Sequence, residues 1–317
     1  MKTGEAEHWL WEQLKDIYNE SEAAKIASMI LEHITGLPRA ERLMKKDEPL
    51  VVGQSHLLTE YYHRLINHEP VQYVLNEAWF YGLKLFMDNH VLIPRPETEE
   101  LVDWIVKDVR KAGKDVFERR PAEADKTSSL KIIDVGTGSG CIALALKKAM
   151  PKAEVWGCDA SESALNVARR NGSELNIRVD FTGVNFLDEA QRRQLPTVDI
   201  IVSNPPYIPL KDKKTMDVNV VAHEPHSALF VPDDDPLIFY KALADFGKHR
   251  LHAGGFIYME INEELGLYTT RLFKTEGYIN VELKQDMQGK DRMIKVQKAH
   301  SPLHTPVSKG ITSANKI

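Results

Sequence analysis

The chain reads as a doubly wound α/β sheet with an antiparallel last strand, preceded by a small helical domain. Three observations predict this. From residue 130 onward, short apolar runs alternate with helix-like stretches, as parallel strands joined by helical crossovers do. The closing runs, residues 279–285 and 292–297, have no helix between them, so the last strand turns back antiparallel. Before residue 75 the apolar residues recur at helical spacing.

In the first 75 residues, Leu10, Leu14 and Ile17 fall at i, i+4 and i+7. A second stripe carries Ile26, Met29, Ile30 and Ile34, with Ser21 as its expected N-cap and Gly36 and Pro38 at its end. Leu58, Tyr61, Tyr62 and Leu65 form a third stripe, with Ser55 as the expected cap. Trp9, Trp11 and the tyrosines either pack this module or give it a face that grips a partner. Trp79, Tyr81, Leu83 and Leu85 then alternate around Gly82, which predicts a β-hairpin. Leu92-Ile93-Pro94-Arg95-Pro96-Glu97-Thr98-Glu99 leads into a helix starting at Glu97 or Thr98. Its apolar face is Leu101, Val102, Ile105, Val106 and Val109. Residues 111–129 are polar and charged, and are expected to be a surface insertion or linker.

Beyond them, strands are predicted over residues 130–135, 154–158, 177–182, 198–203 and 255–261, with helices over 142–150, 161–171, 236–250 and 263–276. Pro205 and Pro206 end the strand at 203, because neither donates an N–H to a sheet ladder. Residues 299–317 combine two prolines with many small polar residues and are expected to be disordered. The expected organisation is a helical domain over 1–75, a hairpin linker over 76–92, an α/β domain over 93–298 and the tail.

A net charge of −5 argues against a chain that coats nucleic acid, so any such contact would need a local patch. The two cysteines, Cys141 and Cys158, cannot staple a chain this long and fit a reducing compartment. No apolar run reaches the roughly 18 residues of a membrane span. Met1 to Trp11 lacks the form of a signal peptide, so the cytoplasm is expected.

Four constellations carry chemistry. Asp134-Val135-Gly136-Thr137-Gly138-Ser139-Gly140 follows a strand and opens a helix. Its glycines let backbone approach a ligand, and its G-x-G-x-G spacing favours a nucleoside-type ligand over a pyrophosphate. Asp159 ends the next strand, where an acid either accepts from two ribose hydroxyls or caps the following helix. Phe186, after the third strand, either packs on an adenine ring or belongs to the core. Asn204-Pro205-Pro206-Tyr207 is a rigid platform of amide, carbonyls and aromatic ring, suited to a planar group bearing an NH2. All four lie at strand carboxyl ends, where open α/β sheets bind ligands. His223 and His226 lack partners at metal-ligand spacing, and Asp233-Asp234-Asp235 reads as a solvated run.

On these residues, together with Pro94-Arg95-Pro96-Glu97-Thr98-Glu99 and Glu224-Pro225 with Ala228-Leu229, the chain resembles the release factor glutamine methyltransferases, the HemK/PrmC group. The resemblance spans about residues 5–298. It implies a Rossmann-like S-adenosylmethionine-dependent methyltransferase sheet behind a substrate-binding helical domain. The implied reaction is N5-methylation of the glutamine in the Gly-Gly-Gln motif of class 1 peptide chain release factors. Gly136, Thr137, Gly138, Ser139 and Gly140 would line the methionine and ribose region. Asp159 would bind the ribose, Phe186 would sit near the adenine, and Asn204 would touch both cofactor and substrate. Pro205, Pro206 and Tyr207 would hold the glutamine amide, and Arg95, Thr98 and Glu99 would close a wall. Two departures are visible: Asn76 stands where glycine is expected before the hairpin, and the 111–129 insertion is long. Asn tolerates positive φ, so the turn survives. A monomer is expected, with no stable nucleic acid, membrane or metal.

A glutamine amide nitrogen is a poor nucleophile. Acceptors at the Asn204 side-chain oxygen and the Pro205 carbonyl would hold its two N–H bonds, aim its lone pair, and strengthen as positive charge develops. Alternatives are glutamine methylation of a ribosomal protein, or adenine N6 methylation of nucleic acid, which the acidic charge and missing basic stripe disfavour.

Overall fold

The structure, a computed structural model, describes residues 1–117 and 129–300. The expected tail beyond residue 300, and residues 118–128 of the expected insertion, lie outside the described residues.

The chain opens with helices α1 (Thr3–Leu14), α2 (Glu20–Thr35), α3 (Arg39–Met44), α4 (Val52–Ile66) and the single turn α5 (Val71–Val74). Two expected caps are corrected. Asn19, not Ser21, caps α2, its side-chain oxygen accepting from Glu22 N at 3.0 Å. Helix α4 begins at Val52, ahead of Ser55, and Gln54 instead accepts from Val51 N. Gly36 ends α2 in the left-handed conformation, as expected. Leu10, Leu14, Ile30, Leu31 and Leu65 form the centre of a core that belongs to this module. The buried Arg42 of α3 ties the module's helices together, donating to Ser28 Oγ at 2.6 Å and the Leu37 carbonyl at 2.9 Å.

Strands β1 (Glu77–Phe80) and β2 (Leu83–Phe86) form the hairpin. Tyr81 and Gly82 both take positive φ, the pattern of a two-residue turn that matches strand twist. Ala78, Phe80, Leu83 and Leu85 face inward while Trp79 is exposed, so the predicted inward stripe is shifted by one residue on the first strand. Asn76 adopts φ 53° and donates to the Met87 carbonyl at 2.9 Å, which closes the turn without glycine. Helix α6 (Pro96–Phe117) starts on the proline, whose missing N–H costs nothing there. It runs seven residues into the stretch expected to be insertion from Lys111.

The α/β part continues as β3 (Lys131–Val135), α7 (Cys141–Ala149), β4 (Glu154–Asp159), α8 (Glu162–Glu174), β5 (Asp180–Gly183), α9 (Glu189–Arg192) and β6 (Val198–Ser203). A small excursion follows, with β7 (Ile208–Pro209), α10 (Val218–His223), α11 (His226–Leu229) and β8 (Phe230–Val231). The chain then returns through α12 (Ile238–Arg250), β9 (Leu251–Glu260), α13 (Gly266–Thr275), β10 (Ile279–Gln285) and β11 (Asp291–Gln297).

Seven strands form one sheet in the order β10-β11-β9-β6-β3-β4-β5. The pairs from β9 to β5 are parallel, and β11 runs antiparallel to both of its neighbours. Side chains alternate between two cores, as the two-residue period requires. Ile132, Ile200 and Val202 face the core of α6 and α7, while Ile133, Ile201 and Ile257 face the core of α12 and α13. From β3 the chain winds outward one way through β4 and β5, then returns to wind the other way through β6 and β9. A crevice therefore opens at the carboxyl ends of β3 and β6.

Candidate active site

The glycine loop and the Asn-Pro-Pro-Tyr segment flank this crevice. Gly136 and Gly138 take φ 71° and 53°, and a Cβ at either would meet no atom within 4 Å, so both turn an open backbone face to the cleft. Gly140 has a different task. A Cβ there would lie 3.1 Å from Phe181 Cζ and 3.2 Å from Ala168 Cβ, so it lets the α7 start pack closely. Thr137 and Ser139 are buried beneath the loop. Thr137 donates to Asp134 Oδ2 at 2.6 Å, and the Ser139 carbonyl accepts from Asn171 at 3.0 Å. Of the five loop residues expected at the ligand, Gly136 and Gly138 line the cleft and Thr137, Ser139 and Gly140 do not.

The cleft has a volume of about 260 Å³. Asp159 lies on its wall, with Oδ2 accepting from Gly138 N and Oδ1 from Ser161 N, each at 2.9 Å. The cap of α8 is Ser161, which accepts from Ala164 N, so Asp159 is not used for that purpose. Each carboxylate oxygen retains capacity for a further hydrogen bond. Burial raises the Asp159 pKa, against the backbone N–H groups that lower it. Phe186 packs edge-on against Phe246, with centroids 5.2 Å apart, as the core reading expects, and it also lines the cleft. His90, Val91 and Leu92, just after the hairpin, also line the cleft, and nothing in the sequence marked them as site residues.

A second cleft of about 190 Å³ adjoins the first. The two share Asn204 and Pro205, with Leu92 and Ala228 beside them. Pro206 faces the first cleft, and Tyr207 the second. The second cleft also holds Arg95, whose guanidinium meets the buried Glu224 carboxylate at 2.5 Å. The other Glu224 oxygen accepts from Ile93 N at 3.2 Å. This pair fastens the segment before α6 to the junction of α10 and α11. A third cleft, bounded by Tyr18, Lys25 and Met29 of the helical module, shares Arg95 and Val220 with the second.

Asn204 Nδ2 donates to Thr98 Oγ1 at 3.1 Å, and Thr98 donates in turn to Glu260 Oε2 at 2.7 Å. Tyr207 donates its hydroxyl to Glu260 Oε1 at 3.0 Å. Glu260 ends β9 and is fully buried, and burial raises its pKa. Sequence reasoning singled out Asn204, Tyr207 and Thr98 but missed Glu260. The available signal was a charged residue closing an apolar strand at the ligand-binding edge of the sheet. Of the three residues expected to close a wall, Arg95 lines the second cleft, while Thr98 and Glu99 line neither of the two clefts that meet at Asn204. His223 and His226 contact backbone carbonyls, of Asn67 and Val221. No helix among the described residues is long and apolar enough to cross a membrane.

Two family models match the chain: the PrmC N-terminal domain over residues 5–75 and the methyltransferase small domain over residues 122–228. A release factor glutamine methyltransferase of Flavobacterium psychrophilum is 38% identical over 283 residues, 89% of this chain and 94% of that protein. One from Bacteroides thetaiotaomicron is 38% identical over 286 residues, covering 90% and 96%. One from Streptococcus pneumoniae is 33% identical over 284 residues, covering 89% and 94%. Among solved structures, the hMettl16 catalytic domain in complex with MAT2A 3′UTR hairpin 6 superposes with TM-score 0.51 at 15% identity. It covers 78% of this chain and 82% of that one, a likeness of fold alone.

Proposed function

The chain belongs to the release factor glutamine methyltransferases, and from that membership we propose that it methylates the N5 nitrogen of the Gly-Gly-Gln glutamine in class 1 peptide chain release factors, using S-adenosylmethionine. One observation carries the reading to the level of residues: Asn204 and Pro205 form the shared wall between two clefts. A methyl donor on one side and an amide on the other would meet there.

The donor set of the larger cleft fits the cofactor. Gly136 and Gly138 present backbone with room beside it, Asp159 offers carboxylate capacity for ribose hydroxyls, and Phe186 supplies an apolar wall. When bound, S-adenosylmethionine supplies the sulfonium methyl group. The chain's own work is on the substrate. The Asn204 side-chain oxygen and the Pro205 carbonyl accept the two N–H bonds of the glutamine amide, and Tyr207 flanks its flat face. Held this way, the nitrogen lone pair points across the shared wall. The acceptors bind more strongly as nitrogen gains positive charge, so they favour the transition state over the ground state. Positioning of this kind can be worth roughly 7–11 kcal/mol. Glutamine would arrive through the narrow second cleft, past Arg95, with the helical module of residues 1–75 holding the rest of the release factor. The enzyme would work in the cytoplasm as a monomer, without metal, membrane or stably bound nucleic acid.

The test is transfer of labelled methyl to an intact release factor and to a copy whose Gly-Gly-Gln glutamine is replaced, with the site located by peptide mass spectrometry. Label on the intact factor alone is expected. Label on both, or on neither while cofactor still binds, would overturn the substrate assignment.

A further inference from the structure

Both ends of the Asn-Pro-Pro-Tyr segment are tied to one buried carboxylate. Tyr207 reaches Glu260 Oε1 directly, and Asn204 reaches Oε2 through the Thr98 hydroxyl. The Asn204-to-Thr98 and Thr98-to-Glu260 bonds give this chain one polarity, and it is the polarity of an ionised Glu260, which only accepts, so that Thr98 gives it its single proton. The Thr98 oxygen can then only accept, and the group it faces on Asn204 must be the NH2. The Asn204 oxygen is thereby turned away from Thr98, and the side chain lines both clefts. With the opposite flip, Asn204 would present donors to a substrate amide that needs acceptors.

We propose that Thr98 and Glu260 are positioning residues that fix the amide orientation of Asn204, and so make the site selective for a nitrogen carrying two N–H bonds. This rests on the glutamine-methylation reading above. Thr98 is 2% exposed and Glu260 1% exposed, so water has little access to replace either partner. The prolines between Asn204 and Tyr207 keep the backbone from compensating if one tie is lost.

The variants are Thr98→Val, which keeps shape and removes the relay, Thr98→Ser, which keeps the hydroxyl, and Glu260→Gln. A glutamine at 260 keeps one accepting oxygen and replaces the other with an NH2 that only donates, so it cannot accept from both Thr98 and Tyr207, and it disturbs the polarity without emptying the space. Thr98→Val and Glu260→Gln should each lower kcat about 10- to 100-fold. The KM for the release factor and the Kd for S-adenosylmethionine should stay within about threefold, and Thr98→Ser should restore kcat. Unchanged kcat in Thr98→Val, equal losses in Thr98→Val and Thr98→Ser, or a loss confined to KM would each overturn the relay. A second readout needs no substrate. The Asn204 side-chain NH2 pair, identified in ¹H–¹⁵N spectra of the full chain by its loss in Asn204→Asp, should show one hydrogen-bonded proton in wild type and Thr98→Ser. That proton should move to the free-amide position in Thr98→Val. An unmoved pair sinks the relay even if release factors prove not to be the substrate, whereas a moved pair with no methyl transfer sinks only the substrate.

Discussion

Asn204 and Asp159 sit on the same cleft and should fail in different ways. Asn204→Ala deletes the proposed acceptor, whose bond would strengthen as the reaction proceeds, so kcat should fall about 100- to 1,000-fold with melting temperature and cofactor affinity little changed. Asp159→Ala deletes the proposed ribose partner. Charge-assisted hydrogen bonds are worth about 1.5–3 kcal/mol, so cofactor Kd should rise at least about tenfold. Steady-state kinetics beside calorimetric titration separates the two, and a swapped pattern would reverse the roles. Asp134 makes a different prediction. Burial pushes its carboxyl from the ordinary 3.8 up to about 7, against the pull of the Thr137 hydroxyl. Its folded pKa is the higher one, so its stabilising contribution is complete below about 4 and is lost as pH rises through about 7. Asn at this position cannot titrate. Melts of the cofactor-free protein should therefore show wild type losing ground to Asp134→Asn across that window and running parallel above it; parallel curves throughout would refute the shift. Asn204 and Asp159 were legible in sequence because each closes a strand with a residue type poorly suited to a sheet, and Tyr207 because two prolines that cannot extend a strand precede it. The Glu260 tie was not, because residues 98, 204, 207 and 260 meet only once β6 and β9 pair and α6 packs over them.

At the scale of elements, the long periodic segments were legible and the short ones were not. The five parallel strands and their helices were legible because each carries several apolar residues at one period, although β5 begins at Asp180 rather than at residue 177. The excursion from β7 to β8 was missed, since a two-residue strand or a four-residue helix is too short to show any period. Caps misread for another reason: Asn19 and Ser21 are both good caps, and only the fold decides which one the helix uses. The docking of the hairpin was equally invisible. Asn171 of α8 accepts from Phe86 N at 2.6 Å and donates to Phe86 O at 3.1 Å, as a neighbouring strand would. Its amide also donates to the Ser139 carbonyl, so one side chain joins the hairpin to the glycine loop. Asn171→Ala should cost about 1–3 kcal/mol in denaturant unfolding, because it strands backbone groups that water reaches poorly. It should also weaken cofactor binding, although Asn171 does not line the cleft. Weakened stability with unchanged cofactor affinity would show that the hairpin and the loop are independent.

For the whole molecule, the arrangement of cores sets how the two parts share stability. The sheet has one core on each face, and the helical module has a third of its own. Helix α5 lies between them: Tyr73 belongs to the sheet's core, while Val74 and Leu75 belong to the module's. Polar ties add to this joint, among them Arg64 of α4 donating to the Tyr73 and Val74 carbonyls and Tyr73 donating to the Val91 carbonyl. We propose two domains that melt separately but couple through this strip. The proposed cofactor cleft is lined from the hairpin exit, the strand ends, α11 and α12, without a residue of α1 to α4. A ligand that binds only the folded sheet domain stabilises it by about 2.7 kcal/mol at a hundred times its Kd. In differential scanning calorimetry, S-adenosylhomocysteine should therefore raise one transition by several degrees. The other should move only as far as α5 transmits the effect. Replacing Tyr73 by Ala removes the sheet side of the joint and should widen the gap between the two transitions. A single transition that shifts as a unit in both proteins would mean that the helical module has no stability apart from the sheet. In that case the walls of the third cleft would be fixed before any partner arrives, rather than free to adjust around it.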